Sequence, residues 1–266
     1  MNVLIFIENN LASSISLRYI CKQSQKVSMF IQPIHVEEPT QGHFQFGAGW
    51  VRKTWERTLV DTTKDEIETF LKAEAGNCRG LTKVKILVGD KEKELQKEME
   101  GGFYDLFVMG HLSSFDSSMF YELIKGSFLK KLSTPVLLVK NLTPFEKVHI
   151  LLDEYMDIEK LIPFYLKLYE NAQVNVSLVY YKFSENKEIA INDGSENKKI
   201  QLAKELLMDK GISPSEILEI EGSPEVVGDR LKSSGMVVSM LNKKGRKRPT
   251  SDVLASTPVP VLIIWD

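Results

Sequence analysis

Residues 1–140 and 147–266 present the same succession of apolar runs, turn signals and amphipathic stretches, joined by a short connector at 141–146. A period near half the chain length makes this two copies of one unit. In the first copy the candidate strands are Val3–Ile7, a continuous apolar run, Val27–Val36, Thr82–Val88, Asp105–Met109 and Val136–Val139; in the second they are Val148–Leu152, Val174–Tyr180, Ile217–Ile220, Met236–Met240 and Val261–Ile264. Runs of this length, with helical patterns between them, read as buried strands. Their alternation predicts an α/β chain, each copy a mainly parallel five-stranded sheet with helices on both faces. With 266 residues and 43% hydrophobic content, each copy can bury its own core.

The punctuation agrees. Glu8-Asn9-Asn10 offers caps for a helix to about Gln23, Gly89-Asp90 can cap the helix carrying Leu95 and Met99, and Gly222-Ser223-Pro224 answers it with Ser223 as cap and Pro224 at the first helical position. A single helix is expected from Phe120 to Leu132, and Pro163 implies a late start or a kink in the helix after Leu152. Ser184 to Ser195 reads as a polar loop. Val51, Trp55, Leu59, Ile67 and Phe70 follow a helical repeat.

A net charge of −2 and a pI near 6.2 give no global attraction to nucleic acid or anionic membrane. No apolar run is long enough to span a bilayer, and the start, which turns polar after Ile7, reads as a strand and not as a signal peptide. Cys21 and Cys78 suit neither a disulfide framework nor a clustered metal site, so reduced thiols in a cytoplasmic protein are expected.

The chain resembles the universal stress protein family in its tandem, two-domain form. The residues that carry the resemblance are an acidic residue closing the first strand of each copy (Glu8, Asp153), Gly-Asp or Gly-Ser-Pro after the third, the run Asp105 to Gly110, and the closing Pro-Val-Leu segments at Pro135 and Pro260. The resemblance implies two Rossmann-like domains, 1–140 and 147–266, paired internally through Val136–Val139 and Val261–Ile264. It implies a non-enzymatic stress-response or regulatory binding protein, with an ATP-binding switch or slow ATPase as the alternative. A homo-dimer or a protein partner is a further expectation; nucleic acid, membrane and metal are not expected.

Nucleotide-binding members of that family carry G-x-x-G, nine residues, then G-[ST] after strand four, where backbone N–H groups hold phosphates. Here Gly110 matches the first glycine, Ser113 replaces the second, and Gly126-Ser127 comes three residues late. The candidate site for ATP or another adenine nucleotide in the first copy is therefore Glu8, Val36, Gly110, Ser113, Gly126 and Ser127. In the second copy Met240 and Lys243 stand at the glycine positions, and the family-type triphosphate site is expected to be lost.

Several features carry a plain reading beside a functional one. Lys243, Lys244, Arg246, Lys247 and Arg248 form a solvated loop, an anion contact or a nucleic-acid contact; no aromatic residue interleaves them, which argues against single-stranded nucleic acid. Glu8 and Asp153 either face a ligand or cap the following helix. His35 reads as a hydrogen-bonded strand residue. Phe44, Phe46, Trp50 and Trp55, with Arg52, Lys53 and Arg57, occur in the first copy alone and read as a loop and helix packed on their own domain, a lid, or a surface for the second domain or a scaffold partner. No G-x-S-x-G, P-loop lysine, H-E-x-x-H or C-x-x-C motif is present, so the sequence displays no machinery for acyl transfer, P-loop phosphoryl transfer or zinc chemistry.

Overall fold

In the first half the computed structural model has strands β1 (Asn2–Phe6), β2 (Phe30–Glu37), β3 (Lys85–Val88), β4 (Leu106–Gly110) and β5 (Val136–Val139). Helices α1 (Leu11–Gln23), α2 (Trp50–Glu74), α3 (Lys91–Gly101), α4 (Ser117–Lys125) and α5 (Ser127–Lys131) connect them. The second half has β6 (Lys147–Leu152), α6 (Ile158–Tyr169), β7 (Asn175–Phe183), β8 (Ala190–Asp193), α7 (Lys198–Met208), β9 (Glu216–Gly222), α8 (Pro224–Arg230), β10 (Met236–Leu241), α9 (Pro249–Ser256) and β11 (Val261–Trp265). The structure describes residues 1–38, 50–112, 117–243 and 248–266, without the side chains of 50–56 and 117.

All eleven strands form one sheet in the order β3-β2-β1-β4-β5-β11-β10-β6-β7-β9-β8. The first half reads 3-2-1-4-5, and the second repeats that order in mirror sequence, with β8 added at the far edge. Within each half the repeated strands are parallel. The halves join where β5 and β11 run antiparallel, with Leu138 opposite Val261, Leu137 opposite Leu262 and Val136 opposite Ile263. These are the two strands expected to pair. Since the join reverses strand direction, the carboxyl ends of the two parallel sets lie on opposite edges of the sheet.

Central strands are apolar on both faces because helices cover both: β5, β10 and β11 are buried at every position. One core layer gathers Val3, Ile5, Tyr19, Phe145, Val148, Tyr165 and Tyr169. On the other face lie Leu4, Phe107, Phe120, Phe128, Leu254 and Trp265. Both layers run through the join. The connector contributes Phe145, 4% exposed, whose ring meets Tyr19 edge-on at 6.5 Å and Tyr169 at 5.5 Å.

Four expectations need correction. Cys21 and Cys78 are bonded to each other as a disulfide, not free thiols. The segment 184–195 contains β8, antiparallel to β9, so the second half has six strands and not five. The single helix expected over Phe120 to Leu132 is two, broken at Gly126. Strand β3 begins at Lys85, preceded by an isolated bridge from Leu81 to Ile31. Helix α6 starts at Ile158 with Pro163 inside it; Pro163 and Glu159, whose carbonyl it leaves unbonded, both lie on the solvent face, where water can satisfy the carbonyl. Among the described residues no helix is long and apolar enough to cross a membrane.

Candidate functional site

In open parallel sheets, ligands sit beyond the carboxyl ends of the strands, where the strand order reverses. Each half has such a crevice. In the first, the order reverses between β1 and β4, and a cavity of about 190 Å³ opens there. Glu8, Gly110 and Gly126 line it, among Phe6, Phe107, Leu123 and Phe128. Val36, 4% exposed, belongs to the core beneath and is not part of the lining. Ser113 lies outside the described residues.

Helix α1 begins at this crevice because Asn10 caps it: the Asn10 side chain accepts from the Ser13 N–H at 2.9 Å, and the Ser13 hydroxyl accepts from the Glu8 N–H at 2.8 Å. The capping expectation for Glu8 is thus corrected. Its carboxylate instead takes Asn10 Nδ2 at 2.9 Å and Lys91 Nζ at 3.2 Å. The Gly-Ser pair is also engaged within the chain: the Ser127 hydroxyl donates to the Glu92 carboxylate. Ser127 and Glu92 are both exposed, and Glu8 shares the wall of the crevice with Lys91.

Gly110 has a packing reason of its own. A Cβ at this position would lie 2.0 Å from the Ala12 carbonyl oxygen, so the glycine admits the first turn of α1 against the end of β4. Gly110→Ala is therefore expected to cost about 3 kcal/mol with no ligand present, as overpacking against backbone does. Urea unfolding of the variant measures it; an unchanged midpoint would mean that α1 yields freely and that packing does not explain the glycine.

The second crevice is larger, about 470 Å³, at the ends of β6, β7 and β9. Asp153, 5% exposed, forms its floor. It does not cap α6, whose cap is Asp157 accepting from the Lys160 N–H at 3.2 Å. Asp153 Oδ2 accepts from the Thr250 hydroxyl at 2.6 Å, which ties the start of α9 to the end of β6, and Oδ1 accepts from the Tyr155 N–H at 2.8 Å. Tyr155, Tyr180 and Phe183 supply aromatic walls, with Tyr155 and Phe183 more than half exposed. Three carboxylates, Asp153, Glu154 and Glu221, stand with two cations, Lys182, which is paired with Glu219 at 2.6 Å, and Arg248 over the Tyr155 ring. The sequence had pointed to Asp153 and Arg248; the run Tyr180 to Phe183 at the end of β7 was the available signal for the walls.

Of the basic cluster, the two described members, Lys243 and Arg248, make separate contacts. Lys243 Nζ donates to the Leu132 carbonyl across the join and lies 5.2 Å over the Trp265 ring, while the Arg248 guanidinium lies 5.1 Å over Tyr155 at the second crevice. Lys244, Arg246 and Lys247 lie outside the described residues, as do Phe44, Phe46 and the side chains of Trp50, Arg52, Lys53 and Trp55. His35 is the strand residue expected, its Nδ1 2.7 Å from the Ile7 carbonyl and its Nε2 3.2 Å from Glu37. Among the described residues no three His, Cys, Asp or Glu side chains come together to hold a metal.

Solved structures share this architecture over the whole chain. A universal stress protein from Archaeoglobus fulgidus superposes with a TM-score of 0.65 at 16% identity, covering 99% of this chain and 96% of that one. The chain has the universal stress protein fold. A candidate universal stress protein from Pseudomonas aeruginosa (TM-score 0.59, 13% identity) and a protein of unknown function from the same species (0.62, 12%) match over 99% of this chain and 92% of theirs. No protein-family model and no curated protein sequence matches the chain. At such identities the likeness is one of fold.

Proposed function

We propose that this chain is a tandem member of the universal stress protein family, made of domains 1–140 and 147–266, and that it acts as a cytoplasmic, non-enzymatic stress-response or regulatory binding protein. Its small-molecule site is the crevice of the second domain. The observation that carries this reading is the contrast between the two crevices: about 470 Å³ with open aromatic walls, against about 190 Å³ with its Gly-Ser pair bonded to Glu92. Small-molecule sites occupy roughly 300–1,000 Å³.

Among the described residues three carboxylates outnumber the two cations, Lys182 and Arg248, at the larger crevice, which favours a neutral or cationic ligand that carries a planar ring for the Tyr155, Tyr180 and Phe183 faces and donates hydrogen bonds to Glu154 or Glu221. A thermal-shift series with adenosine, AMP, ADP and ATP, each with and without Mg²⁺, tests this. A ligand at 100 times its Kd stabilises by about 2.7 kcal/mol, enough to raise the melting temperature measurably. The shift should be largest for the phosphate-free probe and vanish for ATP at millimolar concentration. An ATP shift that Ser127→Ala abolishes would restore the first-domain loop as a nucleotide site and sink the proposal.

A further inference from the structure

Helix α1 is gripped on two sides. Towards the second half, the Tyr19 hydroxyl donates to the Gly235 carbonyl at 2.7 Å, and Gln23 Oε1 accepts from the Tyr169 hydroxyl at 3.1 Å. Towards α2, Arg18 Nε donates to Glu74 at 2.6 Å, the Ser14 hydroxyl donates to the same carboxylate, and the disulfide joins Cys21 to Cys78. Cys78 lies in the connection from α2 to β3. That connection is anchored at its start by Glu74 and at its end by Gly80, whose carbonyl accepts from the Ile31 N–H at 2.8 Å.

Between those anchors, Gly76, Asn77 and Arg79 are exposed, and Gly76 has a positive φ of 52° with open space around it. Ala75 and Cys78 pack on the core from this connection, and Cys78 adds the covalent link. The two sulfurs also differ in access. Cys21 is 6% exposed, near the carboxyl end of α1, whereas Cys78 is half-buried at the surface.

We propose that the Cys21–Cys78 bond is a reversible thiol–disulfide modification site, opened by a dithiol that attacks Cys78, and that its state governs access to the 76–79 connection. One thiolate of the dithiol bonds to Cys78 Sγ. The Sγ–Sγ bond breaks and its electron pair leaves on Cys21 Sγ, which takes up a proton. The second thiol of the dithiol then displaces Cys78 from the mixed disulfide, and the reagent departs as its own disulfide. The two cysteines gain two electrons and two protons, and the dithiol loses them. The leaving thiolate forms in an apolar setting near a helix carboxyl end, and both features disfavour it. The first step is consequently slow, and a monothiol needs a second equivalent to release Cys78 from the mixed disulfide, where a dithiol completes the exchange intramolecularly.

Trypsin reads the outcome, because Arg79-Gly80 is a cleavable bond inside the tethered connection. Full-length protein is oxidised with diamide or reduced with dithiothreitol, digested briefly under native conditions, and the fragments are identified by mass. Cleavage after Arg79 should be at least tenfold faster in the reduced protein and should precede cuts elsewhere, since proteolysis follows the population of the locally open form. Cys78→Ser should cleave at the reduced rate whether or not dithiothreitol is present. Equal rates in the two forms of the wild type, a Cys78→Ser rate equal to the oxidised wild type, or two alkylatable thiols persisting after diamide would each overturn the proposal.

Discussion

Lys140→Met should lower the unfolding free energy by about 3 kcal/mol at pH 8, because it leaves the carboxyl end of α9 without a donor in a buried place. The Lys140 side chain crosses the join from the end of β5, and its Nζ donates to the carbonyls of Leu254, Ala255 and Thr257 at 2.6, 2.9 and 3.0 Å. It also lies 5.0 Å over the Phe120 ring. A cation at a helix carboxyl terminus is favoured by the helix dipole. Burial works against that charge and pushes the ammonium down from its ordinary 10.5 to about 7.

The sign of the pH dependence follows. Between pH 7 and 10.5 the unfolded chain keeps a proton on Lys140 that the folded chain releases, so the unfolded state binds more protons and stability rises with pH. The gain is at most about 1.4 kcal/mol per pH unit, and the three carbonyls reduce it. Lys140→Met removes this dependence. Urea unfolding of both proteins at pH 6, 7.5 and 9 checks it: the wild type should gain on the variant as pH rises, and parallel curves would show that the buried ammonium does not titrate in this range.

Reducing the disulfide should cost about 4 kcal/mol of global stability, the chain-entropy value for a bond closing 57 residues. The loss belongs chiefly to the unfolded state, which the bond keeps from exploring extended forms. It should appear as a lower denaturant midpoint for reduced wild type and for Cys21→Ser alike. A midpoint that does not move on reduction would mean that residual structure already confines the reduced unfolded chain as tightly. Together with the local opening at 76–79, this makes the thiol state of the sample a variable in any stability measurement.

The duplication was legible because ten largely apolar runs are each bounded by turn residues, and burial of parallel strands on both faces demands such runs. Strand β8 was not. Its four residues are exposed and hold to β9 by backbone ladder alone, so no apolar pattern marks them. The disulfide escaped for a different reason: 57 residues separate its ends, and the packing of α2 against α1 brings them together. Capping was legible at Glu8-Asn9-Asn10, where Asn10 takes the role, and misjudged after β6, where Asp157 and not Asp153 receives the helical N–H group. At the first crevice the sequence located the glycines but not their reason, since Gly110 answers to Ala12, far away along the chain. Lys140, at the end of an apolar run, looked like a strand boundary, and only the arrival of α9 gives it a role.

The β5–β11 pairing has a consequence for how the two halves can diverge. Two separate chains paired through such edges would part on dilution, and any substitution would enter both at once. Residues 141–146 make the encounter intramolecular, with an effective concentration on the order of millimolar, so the pairing persists however scarce the protein becomes. Each copy is then free to change alone. The edge strand β8, the 25-residue α2 and two crevices of different size and lining are what that freedom permits.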